Sequence, residues 1–344
     1  MCEEKIKKDM EYCLNCKTKP CQKGCPLSND IPTFIKLAKD EKIEEAYESL
    51  INTTMLGSIC GRICPHTKQC QGHCVRGIKG EPVNIGKIEA YVFDQAIKNG
   101  YDKKIKKSEI LKGKKIAIIG SGPAGLSCST FLAIQGADVT IYEKNSKLGG
   151  ILTHGIPDFR IDKKVIESTI SSILNLGIKV EYQQELGKDI TIEELKKSYD
   201  AIFLGLGANI STKMNIEGEN LRGVYGGNAL LEKNEHPNYE GKKVAIVGGG
   251  NVAMDCARTI QRQNPSKVYV IYRRSEKQMP AETKEIEAAK KEGVEFLFQN
   301  NIIKILGKDK VKQIECIKTE LIKIDGEERE VPVNIENSNY LIDV

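Results

Sequence analysis

Two stretches of this chain follow one plan, and that plan limits what the chain can fold into. An apolar run from Lys115 to Ile119 enters Gly120, Ser121, Gly122, Pro123, Ala124 and Gly125. A helix-like stretch to Gln135 follows, then a second apolar run from Ala137 to Tyr142 that ends on Glu143. The pattern returns when Lys243 to Val247 enters Gly248, Gly249, Gly250, Asn251, Val252 and Ala253. A helix to Gln263 and a strand from Lys267 to Tyr272 complete it, ending on Arg273 and Arg274. Strand, glycine turn, helix and strand make the start of a βαβ unit. The first glycine permits the tight turn. The second lets a pyrophosphate approach the backbone at the helix N-terminus, and the third position lets helix and strand pack closely.

The two strand ends differ. Glu143 can accept hydrogen bonds from ribose hydroxyls. Arg273 and Arg274 suit a 2′-phosphate instead, which points to NADP rather than NAD, against the plainer reading of a solvated strand end. The candidate nucleotide contacts are therefore Gly120, Gly122, Pro123, Ala124, Gly125 and Glu143 in the first unit, and Gly248, Gly250, Asn251, Ala253, Arg273 and Arg274 in the second.

Eight of the chain's 12 cysteines form two dense runs before residue 75. Cys13, Cys16, Cys21 and Cys25 form the first, with Pro26 after the last. Cys60, Cys64, Cys70 and Cys74 form the second, with Pro65 after Cys64. Tight runs with a proline directly after a cysteine are an iron–sulfur pattern, in which thiolates from separate runs can serve one cluster. Structural zinc competes, because several spacings also suit it. Redox nucleotide sites farther along the chain make electron carriers the coherent partner. Counting alone assigns two clusters of four thiolates, Cys60 included.

The rest of the composition excludes more than it identifies. Net charge is +5, but basic and acidic residues alternate, so no nucleic-acid stripe is expected. No run approaches the roughly 20 apolar residues of a membrane span. The N-terminus lacks the apolar core of a signal peptide, so a cytoplasmic protein is expected and the cysteines read as metal or redox ligands rather than disulfides. Cys2 reads as a disordered bystander. Cys128 and Cys256 fall in predicted helices as core residues, and Cys316 is isolated. No later C-x-x-C is present for thiol–disulfide exchange, and the histidines form no hydrolase constellation.

Asn29 to Pro32 reads as a helix start, with two short helices to Ile51, and residues 85–97 repeat apolar residues at helical spacing. A Lys-rich stretch near 101–114 reads as linker. The expected domains are a helical cluster domain over 1–110, an FAD-binding domain over 111–212 and an NADP-binding domain over 213–344.

Several of these motifs together resemble one family. Cys13 and Cys16, Cys21 to Pro26, Gly61 to Pro65, Cys70 to Cys74 and Gly120 to Gly125 carry the resemblance. Gly149 to Ile151, Ile156 to Arg160 and Tyr272 to Ser275 extend it over essentially the whole chain. The sequence resembles the small (beta) subunit of bacterial NADPH-dependent glutamate synthase. It is also similar to the related subunit of bifurcating ferredoxin:NADP oxidoreductase and to the N-terminal half of dihydropyrimidine dehydrogenase. The resemblance implies an α/β chain: a helical N-terminal domain with two [4Fe–4S] clusters, then two Rossmann-like nucleotide-binding domains of the glutathione-reductase kind. It implies Cys13, Cys16, Cys21 and Cys74 on one cluster. Cys25, Cys64, Cys70 and Glu89 would hold the other, with Cys60 a non-ligand. FAD is implied on the first glycine loop, with Gly149, Gly150 and Arg160 near it, and Met279 to Ala281 beside the NADP site. His154 is expected near the flavin without a catalytic role. Hydride passes between cofactors, so no side chain is assigned as catalytic.

The implied function is electron input. NADPH is oxidised through FAD and the clusters, and electrons pass to a partner, either a glutamate synthase large subunit or another electron-accepting subunit such as a ferredoxin-linked one. Nucleic acid and membrane are not expected partners. In this architecture the chain returns to the FAD domain after the NADP domain. Here it ends at Tyr340 to Val344, so that return is expected to be missing and FAD binding to be weakened. A truncated, catalytically inactive cluster-bearing module is therefore the alternative of another class.

Overall fold

Ile31, Phe34, Ile35 and Ala38 recur at helical spacing, and Pro32 sits where a missing N–H costs nothing, so the chain turns into a helix at Ile31–Lys39. Ile43–Ile51 is the next helix and buries Ala46, Tyr47 and Leu50. Ile85–Lys98 buries a broad face that includes Ile88, Glu89, Val92 and Phe93. A helix over Glu3–Tyr12 was not expected; only Ile6 and Met10 on it are buried, one helical turn apart. In a computed structural model the described residues are 3–233, 236–323 and 330–344. Cys2 lies outside them.

The chain divides into two units, Met1–Gly207 and Ala208–Val344. In the first, four parallel strands form a sheet ordered β3-β2-β1-β4, where β1 is Lys115–Ile119, β2 Asp138–Glu143, β3 Lys179–Tyr182 and β4 Ala201–Leu204. The helices and this sheet share one continuous core. Phe34, Tyr47 and Phe93 belong to it together with Ile118, Leu126 and Ile141. The expected linker is part of the join. Asp102 is buried and its Oδ2 accepts from Asn175 Nδ2 at 3.2 Å, and the Ser108 and Leu111 N–H groups donate to the carbonyls of Ile134 and Gln135. The Lys-rich composition concealed this, because Tyr101, Ile105 and Leu111 between the lysines pack against the core.

Two helices of the first unit meet through small residues. A Cβ added at Gly61 would lie 2.4 Å from the Gly86 carbonyl and 2.7 Å from the Ala90 nitrogen. Helix Gly57–Ile63 therefore lies almost backbone to backbone on Ile85–Lys98. Arg62 forks onto Asp94 across the seam, with Nη2 2.5 Å from Oδ2 and Nη1 3.3 Å from Oδ1.

The second unit holds a three-stranded parallel sheet, β5 (Lys243–Val247), β6 (Lys267–Tyr272) and β7 (Glu295–Phe298). Beyond it lie antiparallel strands that sequence reasoning did not anticipate. These are β8 (Asn300–Gly307), β9 (Val311–Ile322), β10 (Val331–Asn334) and β11 (Tyr340–Asp343), with β9 pairing each of the other three. Tyr340 to Asp343, where a return to the FAD domain is expected to begin, pairs here with Gln313 to Cys316.

Candidate functional site: two cysteine clusters and two glycine loops

The cysteine runs do not sort by run. Cys13, Cys16, Cys21 and Cys74 line one cleft, walled by apolar side chains including Leu14 and Val75. The cleft holds about 360 Å³ of space outside protein atoms, its open mouth included. Burial pushes the Cys21 thiol up to about 11, with the neighbouring Cys13 and Cys74 adding to the rise. Cys13 is raised in the same way, by burial first and then by Cys74 and Cys16. Four thiols gathered in one cleft, two of them with their charged forms disfavoured, suit a cationic centre that favours the thiolates.

The second set gathers at the small-residue seam. Burial raises the Cys70 thiol, and Glu89, Cys25 and Cys64 raise it further. Cys60 hydrogen-bonds with Cys64, and this and its burial raise it strongly. Glu89 projects from the facing helix and is 6% exposed. Burial pushes its carboxyl up to about 8, Cys64 adds to the rise, and the Asn29 amide opposes it through a 3.1 Å hydrogen bond. All five candidates for the second set, Cys25, Cys60, Cys64, Cys70 and Glu89, are therefore neighbours. Among the described residues no three His, Cys, Asp or Glu converge tightly enough to chelate a single ion. An iron–sulfur cube takes its ligands at separate corners, so it asks for no such convergence.

The first glycine loop divides its labour among its glycines. Gly120 has φ +94°, a left-handed turn, and a Cβ at Gly125 would lie 1.9 Å from the Gly120 carbonyl, so helix Pro123–Ile134 can start only against a bare backbone. A Cβ at Gly122 meets nothing within 4 Å, which leaves the helix N-terminus approachable. Glu143 is buried at the loop's base. Its Oε2 accepts from the Ser121 N–H at 3.0 Å and hydroxyl at 2.5 Å, and its Oε1 accepts from the Asn145 N–H at 2.8 Å. A carboxylate with roughly four acceptor sites keeps capacity for a ribose hydroxyl.

Gly149 and Gly150 lie against the same loop. The Gly149 N–H donates to the Ser121 hydroxyl oxygen at 3.0 Å, and Gly150, with φ +51° and ψ −125°, approaches Gly122 closely. The following turn is held by Lys163, whose Nζ donates to the carbonyl of Ile156 at 2.5 Å and that of Leu152 at 3.4 Å. Arg160 follows in this segment, half-buried. His154 sits in it too, its Nε2 3.5 Å from the Lys147 carbonyl.

In the second unit Gly248 has φ +129°, and a Cβ at Gly250 meets nothing within 4 Å, so helix Asn251–Gln261 also begins in the open. Asn251 Oδ1 accepts from the Glu282 N–H at 3.0 Å, and the Ala281 N–H donates to the Gly249 carbonyl at 3.0 Å. Ala281, at the end of the Met279 to Ala281 segment, thus lies against the loop. Arg273 and Arg274 follow β6. The Nε of Arg274 is buried without a hydrogen-bond partner. A buried guanidinium N–H of this kind calls for an anion.

Residues 1–101 match the family model "dihydropyrimidine dehydrogenase domain II, 4Fe-4S cluster". Residues 114–334 match the model "pyridine nucleotide-disulphide oxidoreductase". The glutamate synthase [NADPH] small chain of Escherichia coli K12 is 35% identical over 355 residues, covering 99% of this chain and 75% of that protein. The chain belongs to that family. Like other members of the small-chain family it is an oxidoreductase with an N-terminal iron–sulfur domain ahead of a pyridine-nucleotide domain. The beta subunit of an NADP(+)-dependent formate dehydrogenase from Moorella thermoacetica is also 35% identical, over 94% of this chain and 49% of that protein. Among solved structures, Mycobacterium tuberculosis FprA in complex with NADPH shares the fold at TM-score 0.61 and 19% identity, over 67% of this chain and 68% of that one. Among the described residues no helix is long and apolar enough to cross a membrane.

Proposed function

We propose that this chain is the electron-input subunit of a larger oxidoreductase, drawing electrons from NADPH and delivering them to a partner subunit. NADPH would lie on Gly248 to Ala253, with Arg273 and Arg274 at its 2′-phosphate. The open helix start at Gly250 and the unpartnered Nε of Arg274 support that placement. FAD would lie on Gly120 to Gly125, with Glu143, Gly149, Gly150 and Arg160 around it. One [4Fe–4S] cluster would take Cys13, Cys16, Cys21 and Cys74; the other would take Cys25, Cys64, Cys70 and Glu89. FAD held there would supply acceptance of one hydride, two electrons, from NADPH, and the clusters would supply one-electron carriage. The chain's own part is to hold, orient and electrostatically tune these groups. The module boundaries we assign are 1–110, 111–212 and 213–344, in the cytoplasm.

The observation that carries this reading is the sorting of two sequence runs into two mixed groups. Cys74 joins the first run's cysteines, and Cys25 joins the second's. Such interleaving suits two adjacent clusters and is not a feature of two independent zinc knuckles.

The acceptor we favour is a glutamate synthase large subunit, making glutamate from glutamine and 2-oxoglutarate, on the strength of the small-chain relative. The formate dehydrogenase relative supports a second reading, with another electron-accepting subunit. Anaerobic purification with iron and flavin analysis tests the core proposal. About eight irons and one FAD per chain are expected, with a broad visible band that NADPH bleaches faster than NADH. Zinc without a visible band overturns it. Pull-down with each candidate partner, scored by NADPH-driven reduction of that partner, separates the acceptors.

A further inference from the structure

Asn29 is buried, 3% exposed, four residues beyond Cys25 and immediately before the helix at Ile31–Lys39. Its side chain does not cap that helix, whose N-cap is Asp30. It crosses instead to Glu89, 60 positions away, and Nδ2 donates to Oε1 at 3.1 Å. On its other side the Thr53 hydroxyl donates to Asn29 Oδ1. As a metal ligand Glu89 would be ionised and could only accept, so the amide presents its NH₂ to it, and the Thr53 hydroxyl, which also lies 3.0 Å from the Leu50 carbonyl, favours that orientation. Oε1 of Glu89 is thereby engaged, and Oε2 would be the oxygen offered to a metal.

We propose that Asn29, oriented by Thr53, is a positioning residue that fixes Glu89 as a one-oxygen ligand of the second cluster and tunes that cluster's potential. This rests on the assignment of Glu89 as a cluster ligand made above. A hydrogen bond to a ligating carboxylate withdraws electron density from it, so the more negative, reduced cluster is easier to reach. Losing the bond shifts the potential downward.

The experiment is a potentiometric titration of the anaerobic full-length protein, followed by electron paramagnetic resonance and accompanied by iron analysis. The variants are Asn29→Leu, Thr53→Val, Glu89→Ala and the Asn29→Leu/Glu89→Ala double. Asn29→Leu should move one cluster's midpoint to lower potential and change its signal, leaving the other cluster's midpoint and signal in place. Thr53→Val should shift the same cluster in the same direction by less, and it carries the test alone if Asn29→Leu fails to fold or sheds iron. In the Glu89→Ala background Asn29→Leu should add no further shift. Unchanged midpoint and signal in both Asn29→Leu and Thr53→Val overturn the proposal. If Glu89→Ala itself leaves iron content and both signals untouched, the ligand assignment fails instead, so the two failures are distinguishable.

Discussion

Ser121 binds Glu143 twice, through its backbone N–H at 3.0 Å and its hydroxyl at 2.5 Å, so the glycine loop and the end of the next strand form one hydrogen-bonded unit. Glu143→Ala should remove both the loop's anchor and the ribose acceptor. A hydrogen bond to a charged group is worth about 1.5–3 kcal/mol, so FAD affinity should fall roughly 10- to 100-fold. Fluorescence titration of the apoprotein with FAD measures this, and wild-type affinity in the variant would remove Glu143 from the site.

Gly122 and Gly125 should separate binding from folding. Alanine at Gly125 drives a methyl into the Gly120 carbonyl, and such overpacking costs about 1–3 kcal/mol. Alanine at Gly122 finds room and should leave thermal stability near wild type while depressing FAD content. Paired melting curves and flavin assays read both effects. Equal stability of the two variants would contradict this division.

Arg274→Ala should erode the preference for NADPH while sparing NADH. Loss of a buried charge-assisted contact to a phosphate predicts a fall of roughly tenfold or more in kcat/KM for NADPH. The informative quantity is the ratio of the two nucleotides with a dye acceptor. A ratio that stays put assigns selectivity elsewhere.

Cys60→Ala and Glu89→Ala are expected to differ. Cys60 hydrogen-bonds with Cys64 and is not counted among the ligands, so its loss should leave iron near wild type. Glu89→Ala should lower iron content or alter one cluster's spectrum. The reverse result would restore the assignment that counting cysteines suggests.

A fifth expectation concerns acid. Burial alone would raise the Glu292 carboxyl, but hydrogen bonds from Arg258 and Arg262 outweigh it and hold it below the usual carboxylate range. A group lowered by folding stabilises fully above its unfolded value and loses that stabilisation as pH falls through its folded one. Unfolding of the second unit should therefore become easier below the ordinary carboxylate range. Arg258, 8% exposed, also pairs with Glu285. Arg258→Met should cost about 3–5 kcal/mol at neutral pH and flatten this acid dependence. Denaturant melts from neutral to acidic pH check both.

The elements legible in the sequence were those encoded locally. β1, β2, β5, β6 and the helices after the glycine loops fell where apolar runs and glycines placed them. The cysteines were visible as candidate ligands, but their grouping depends on the tertiary fold, and only resemblance supplied it. Glu89 was singled out by resemblance alone; locally it reads as any helical carboxylate, because its burial depends on Gly61 and Gly86 letting two backbones meet. Asn29 was legible only as part of a helix start, because its partner is 60 positions away. The strands around β9 were missed because Lys312, Lys318 and Glu320 interrupt an apolar pattern that reads clearly only once the sheet supplies its inner face. The helix Glu3–Tyr12 was hidden by its charge, since two apolar residues bury it.

The continuous core beneath the helical module and the first sheet has a practical consequence for anyone wishing to transplant the iron–sulfur part. A cut near residue 110 does not pass through a hinge. It leaves Asp102 without Asn175, strips the Ser108 N–H of its acceptor, and bares the apolar face that Tyr101 and Ile105 help to close. A chimera that keeps the helical module alone would inherit a sticky, half-finished surface. One that carries it together with the four-stranded sheet, through Gly207, takes the whole of its foundation.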